Sequence, residues 1–321
     1  MKALAPSARP VTLAGFAALR DRLGRDLAPR LHAAFARAFQ RDPQALWQQD
    51  RDRSTPRSAE ATCPANRRGE IALVGAGPGA RDLLTLRAVE RIQAADVIFY
   101  DRLVDDDVLD LARPGAEKVF VGKHVGAHAW PQARINRVIV AEALRGRRVV
   151  RLKSGDPGIF GRAGEEIDAA RAAGIAIELV PGVTAVSAAG AALGRSLTER
   201  GVSNTLVLAT GTGSAEDPLP DCTRLAGPGT TTAFYMAARQ ADRIARALMA
   251  RGLPPDARID VVVDASKPGQ RQFSAPVAQL TDMMARESVT GCAILLLTWP
   301  EARAPLPSHL PIERHPALME A

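Results

Sequence analysis

The sequence predicts a two-lobed α/β protein, each lobe a mostly parallel or mixed sheet with flanking helices, preceded by an N-terminal helical extension. Three observations predict it. From Glu70 onward, short apolar runs alternate with segments of helical period, the pattern of a sheet covered by helices. Several of those runs empty into glycine- and proline-rich loops, as strand ends do in open α/β sheets. A polar stretch near Gly194–Ser203, without a strong period, divides the alternation into two sets, and 321 residues suffice for two domains.

The elements follow in order. Residues 1–49 form the extension, in which Leu19, Leu23, Leu27, Leu31, Phe35 and Phe39 recur every four residues and make one apolar stripe. Pro29 divides that helix in two, and the stripe reads as a packing or dimerisation arm. Residues 50–69 are polar, contain prolines, lack period and read as a linker. Residues 70–197 form the first lobe, with strands at Ile71–Val74, Val97–Tyr100, Val119–Val121, Val149–Leu152 and Ile175–Val180. Helices are expected over Leu83–Ala94, Ile135–Leu144, Ala163–Ala173 and Val183–Leu193. Residues 198–302 form the second lobe, with strands at Thr205–Ala209, Thr230–Tyr235, Ile259–Val263 and Ala293–Thr298. Its helices are Ile244–Ala250 and Val277–Ala285, and residues 303–321 are a tail.

Composition narrows the function classes. Residues 1–69 carry 13 Lys and Arg against 6 Asp and Glu, whereas residues 70–321 carry 29 of each. The net charge of +7 therefore belongs to the extension; the α/β body is neutral, and its chemistry is not expected to rest on a strongly basic surface. Aromatics are 4% of the chain, too few for a base-stacking platform. Cys63, Cys222 and Cys292 are odd in number and far apart, which fits reduced thiols rather than a disulfide frame or zinc site. Cys292 opens an apolar run and is expected to be buried. No apolar run is long enough for a membrane span, and a cytoplasmic location is expected.

Four segments carry chemistry. Val74–Gly79 (VGAGPG) is a glycine loop directly after a strand, where a backbone without side chains can approach a ligand. It differs from a dinucleotide fingerprint: its third glycine comes one residue early, and Pro78 removes a backbone donor. Arg151–Arg162 (RLKSGDPGIFGR) takes a strand into a loop with more special residues than a simple turn needs. Asp156 there either accepts hydrogen bonds near a polar ligand group or caps the next helix. Val180–Ala185 (VPGVTA) ends a strand and puts Thr184 at a helix start, as an N-cap alone or with free N–H groups facing the crevice. Asp101 and Lys123 end neighbouring strands and either handle protons, hold an anionic substrate, or form a surface ion pair. His124 and His128 are four apart, but Gly126 and Pro131 argue against the helix that a metal pair would need, and no metal is expected.

Taken in order, VGAGPG, LLTLRA, ADVIFYDRLV, VGKH, PQARIN, RVVRLKSGDPGIFGR, GEE, VPGVTA, AFYM and QR resemble the tetrapyrrole methylase family. The likeness is greatest to its uroporphyrinogen-III C-methyltransferase branch and runs from about Gly69 to Trp299. The resemblance implies a two-lobed fold, a homodimer, S-adenosylmethionine as methyl donor and a tetrapyrrole as acceptor. It assigns donor contacts to Pro78, Ser154, Gly155, Asp156, Ile159, Thr184, Ala185, Met236 and Ala265. It makes Asp101 a proton acceptor and Lys123 a proton donor. Arg102, Arg162 and Arg200 are expected partners for the acceptor's carboxylates. The sequence departs from the family pattern at Ser154 and Ala265, where glycine is usual, at Gly158, where an aromatic is usual, and at Glu199, where histidine is usual. Alternatives are another methylase of this fold, acting on a later corrin intermediate or ribosomal RNA, or a non-catalytic donor-binding protein.

Overall fold

The computed structural model describes residues 69–122, 130–213, 217 and 219–301. The apolar stripe of the extension, the linker, Lys123 and the tail expected from the sequence lie outside the described residues.

Five strands form the first sheet: Glu70–Gly75 (β1), Val97–Tyr100 (β2), Glu117–Phe120 (β3), Arg148–Lys153 (β4) and Ala176–Val180 (β5). Their order is β3-β2-β4-β1-β5, and every neighbouring pair is parallel. β1 and β4 are each buried at every residue but the first; β1 accordingly reads as an apolar run, Ile71–Val74, whereas β4 interleaves the buried cations Arg151 and Lys153 with Val149, Val150 and Leu152. Helices cover both faces. On one side Leu86–Ala94 (α1) and Asp106–Leu109 (α2) bring Ala88, Ile92, Val108 and Leu109 onto Ala72, Val74, Val150 and Leu152. On the other, Gln132–Leu144 (α3) and Ala163–Ala172 (α4) bring Ile135, Ile139 and Ala170 onto Ile71, Leu73 and Val149. α1 starts where it does because Thr85 Oγ1 accepts the Ala88 N–H at 3.2 Å.

The second sheet contains Thr205–Thr210 (β6), Thr230–Tyr235 (β7), Arg258–Val263 (β8), Arg271–Pro276 (β9) and Ala293–Trp299 (β10), in the order β6-β7-β10-β8-β9. Only β6 and β7 pair in parallel; the other three pairings are antiparallel, so this sheet is mixed. Ala241–Ala250 (α6) and Leu280–Arg286 (α7) pack Ile244, Leu248, Leu280 and Met283 against one face. The opposite face takes Ala185–Ala192 (α5), whose Val186, Ala188 and Ala189 meet Ala233, Val262, Ile294 and Leu296. This small-residue helix follows β5 in the chain yet makes its apolar contacts with the second sheet. Short side chains let it lie close.

Two described elements were not expected from the sequence, α2 and β9. β9 has a single buried residue, Ala275, so its RQFSAP sequence carries no alternation to read. Three expected helices begin differently: 3-10 turns at Arg81–Leu83, Ala238–Gln240 and Val277–Gln279 precede α1, α6 and α7.

Candidate functional site

β4, β1 and β5 are adjacent and parallel, so their carboxyl ends deliver three loops to one place. Gly77 and Gly155 exchange both backbone hydrogen bonds, at 3.3 and 2.6 Å, and stitch the first loop to the second. The Gly182 N–H donates to Asp156 Oδ2 at 3.0 Å, which ties the third loop to the second. The glycines are required by this stacking. A Cβ on Gly182 would lie 2.3 Å from the Gly155 carbonyl oxygen and 2.9 Å from Gly75 Cα. Gly155 itself has φ +69°, a conformation that side chains disfavour.

Beyond these loops lies a cavity of about 650 Å³. The first sheet's loops contribute Pro78, Arg102, Leu103, Ser154, Gly155, Asp156, Ile159 and Phe160, and the start of α5 contributes Thr184 and Ala185. The second sheet contributes Tyr235 and Met236 after β7, Asp264, Ala265 and Lys267 after β8, and Thr290–Ile294 leading into β10. All nine residues expected to contact a donor are thus brought together, from five separate stretches of chain. Ala265, where a glycine is usual, is buried in the apolar layer under α5.

The backbone around this cavity is unusual. Among the described residues, six that are not glycine have φ near +50 to +66°. Phe160, Met236 and Asp264 of this set line the cavity, and Arg162 and Ser266 lie within two residues of it. Such conformations cluster where a structure holds residues for function. Phe160 and Met236 are 41% and 52% exposed, large apolar side chains left open at the cavity.

The expected proton-handling and anion-binding residues sit differently. Asp101, just past β2, does not line the cavity, although its neighbour Arg102 does. Its Oδ1 accepts the Leu103 N–H at 3.1 Å, and its Oδ2 accepts from Arg151 Nη2 at 3.2 Å. Arg162 and Arg200 are away from the cavity lining, and Arg162 is engaged by Glu165 at 2.7 and 2.9 Å. Glu199, where a histidine is usual, exchanges backbone hydrogen bonds with Ser203, both at 2.8 Å.

Sequence reasoning missed a charged cluster beneath the second loop. Glu166, fully buried on α4, accepts from Arg151 Nε at 3.2 Å and from Lys153 Nζ at 2.9 Å. Gln132 Nε2 adds a third donor at 3.2 Å. Burial, with the nearby Arg151 cation, pushes the Lys153 ammonium below its ordinary value, opposed by Glu166. The four side chains Asp101, Arg151, Glu166 and Lys153 alternate in charge and sum to zero. The GEE motif marked Glu166 in the sequence, but only packing reveals that it is enclosed.

Tyr235 was also missed. Its hydroxyl shares a hydrogen bond with Thr184 Oγ1 at 2.7 Å and accepts the Val186 N–H at 3.1 Å. Thr184 therefore does not act as a side-chain N-cap, and one first-turn N–H expected to face the crevice is already taken. Burial raises the Tyr235 phenol, so it stays protonated at neutral pH. Its ring packs against Phe160 with centroids 5.1 Å apart.

Cys292 is a correction. It was expected to be buried, but it is exposed, because it precedes the first β10 residue and faces the cavity. Partial burial raises its thiol all the same. Among the described residues no group of His, Cys, Asp and Glu is placed to hold a metal ion, and no helix is long and apolar enough to cross a membrane.

Comparison with known proteins identifies relatives of the chain and of its fold. The chain is 47% identical over 219 residues to a siroheme synthase of Edwardsiella ictaluri, covering 68% of this chain and 47% of that protein. It spans about half the length of the curated relatives it matches. Among solved structures, a uroporphyrin-III C-methyltransferase of Thermus thermophilus, complexed with S-adenosyl homocysteine, is 36% identical with TM-score 0.62. The match covers 72% of this chain and 97% of that one. A cobalt precorrin-4 methyltransferase of cobalamin biosynthesis has TM-score 0.66 at 29% identity, covering 74% of this chain and 98% of that one. Residues 70–281 match the family of tetrapyrrole (corrin/porphyrin) methylases. The chain belongs to that family of methyltransferases.

Proposed function

We propose that this protein transfers methyl groups from S-adenosylmethionine to ring carbons of uroporphyrinogen III, giving precorrin-1 and then precorrin-2 for sirohaem or cobalamin biosynthesis. The observation that carries the reading is the convergence of Pro78, Ser154, Gly155, Asp156, Ile159, Thr184, Ala185, Met236 and Ala265 on one cavity. The identity to the Thermus thermophilus enzyme supports the same acceptor.

The residues present fit such a donor. The cavity is of the size that encloses a nucleoside-sized ligand, and Gly155, whose stacking against Gly75 and Gly182 leaves no room for a Cβ on those two, lines it without a side chain. Those nine residues would hold it, and when bound it supplies an electrophilic methyl group. The rest falls to the chain. Enclosure orients donor and acceptor and excludes water, which is the larger part of what a displacement needs. Asp101 takes the proton lost from the methylated position, its carboxylate held in one orientation by Arg151 and the Leu103 N–H. Lys123 is the proton donor that the family resemblance implies, and the one proton released net by each methyl transfer passes from Asp101 to solvent. Arg102, which lines the cavity, meets acceptor carboxylates through charge-assisted hydrogen bonds, and Arg162, on leaving Glu165, and Arg200 meet those of the acceptor that project beyond it.

The test is direct. Purified protein incubated anaerobically with S-adenosylmethionine and uroporphyrinogen III yields a dimethylated product by mass spectrometry. No mass gain refutes the assignment. The likeness to a precorrin-4 methyltransferase favours a second reading, a later corrin acceptor. Methylation of such an intermediate, with uroporphyrinogen III left untouched, selects it.

A further inference from the structure

The elements that line the cavity are joined by two different kinds of contact. Helix α5 packs into the second sheet through an apolar cluster, joined by the Tyr235 hydroxyl and by Gln272 Nε2 on the Ala192 carbonyl at 2.7 Å. The loop after β8, whose Ala265 shares that apolar cluster, reaches over to the first sheet through polar groups. Ser266 Oγ accepts the Ala80 N–H at 3.1 Å, and Lys267 Nζ donates to the Leu103 carbonyl at 3.3 Å and to Asp105 Oδ1 at 2.9 Å. None of the four apolar clusters of described residues joins this loop to the first sheet.

The loop is built to present these groups. Asp264 and Ser266 take φ of +48° and +66°. The turn is held by the Lys267 N–H on the Asp264 carbonyl, the Gln270 N–H on the Lys267 carbonyl, and the Ser266 N–H on Gln270 Oε1 at 2.7 Å. The Lys267 stem crosses where Gly79 has no side chain: a Cβ there would sit 2.5 Å from Lys267 Cγ. Asp105 depends on this ammonium, because its Oδ2 is buried without a partner. Lys267 also lines the cavity, and it is anchored to the segment that carries Asp101 and Arg102.

We propose that Lys267 is a positioning residue, a latch across the cavity mouth whose ion pair with Asp105 holds the donor-side loop of the second sheet against the Asp101–Asp105 segment. The inference rests on the reading of the cavity as the donor site. A polar closure opens and shuts without disrupting a core, whereas an apolar one would not. While the latch is shut the ligand is retained; when it parts the demethylated donor leaves.

The experiment measures dissociation of S-adenosylhomocysteine from the full chain by surface plasmon resonance. Lys267→Met is expected to raise the dissociation rate roughly 3- to 5-fold at low salt, as loss of one half-buried ion pair should. Asp105→Asn is expected to match it, the double variant to exceed neither, and Lys267→Arg to stay within about twofold of wild type. Added salt brings the wild-type rate toward that of Lys267→Met and leaves the variant unchanged. A Lys267→Met rate within about twofold of wild type overturns the latch. So does a lowered ligand-free melting midpoint with unchanged release, the mark of a purely structural pair. Should Lys267→Met fail to fold, Asp105→Asn and the salt series decide in the same way. Wild-type protein that binds no S-adenosylhomocysteine sinks the donor site itself, a result distinct from a latch that makes no difference.

Discussion

Glu166 is the residue whose loss the structure makes most costly. It is wholly enclosed, and both cations that bind it, Arg151 and Lys153, have side chains only 6% and 7% exposed. Glu166→Gln keeps the shape and removes the charge, leaving two buried cations with Asp101 as their one remaining acidic neighbour in the cluster. Removing one partner from a buried ion pair typically costs about 3–5 kcal/mol. In a folded unit of this size that lowers the melting midpoint by on the order of 10 °C. The penalty should depend on pH, with a sign that follows from Lys153. Its ammonium already sits below the ordinary 10.5, so the native state binds fewer protons than the unfolded chain between the lowered value and the ordinary one. Stability therefore rises with pH through that window, and removing Glu166 pushes the native value lower still and widens the window downward. Urea unfolding of wild type and Glu166→Gln near pH 7 and near pH 9 measures both effects. A variant within about 1 kcal/mol of wild type near pH 7, or one whose deficit grows with pH, would refute the reasoning.

Other substitutions probe the site. Asp101→Asn should reduce turnover by about 10²- to 10⁴-fold while S-adenosylhomocysteine affinity, measured by calorimetry, stays within about twofold. Tyr235→Phe removes two hydrogen bonds between α5 and the second sheet and should cost roughly 1–3 kcal/mol in urea unfolding. Gly182→Ala puts a methyl group 2.3 Å from the Gly155 carbonyl, so the loops must part; calorimetry should show donor affinity falling by about tenfold or more.

Much of this was legible in the chain, for identifiable reasons. β1 declared itself as an apolar run, Ile71–Val74, because both its faces are covered. The loops at Gly75, Gly155 and Gly182 stood out because close backbone stacking admits no side chain, and that demand is written in residue type. What stayed hidden depends on partners remote in sequence. Tyr235 meets Thr184 across 51 residues, and Lys267 meets Asp105 across 162, with nothing local to mark either. Strand direction was hidden too: β10 reads as apolar whether its neighbours run with it or against it. Cys292 misled because it adjoins an apolar strand without sharing its burial.

The order of strands in the first sheet bears on how the protein is made. β1 leaves the ribosome first of the five, yet both of its neighbours, β4 and β5, are encoded far downstream. Ile71–Val74, apolar on both faces, must wait unpaired until Arg148–Lys153 and then Ala176–Val180 have been synthesised. Over that interval the nascent chain carries a bare strand with two open edges, a template for pairing with other chains. Maturation should thus be most vulnerable to aggregation early in translation, and slowing synthesis between β2 and β4 should lower soluble yield without altering the finished enzyme.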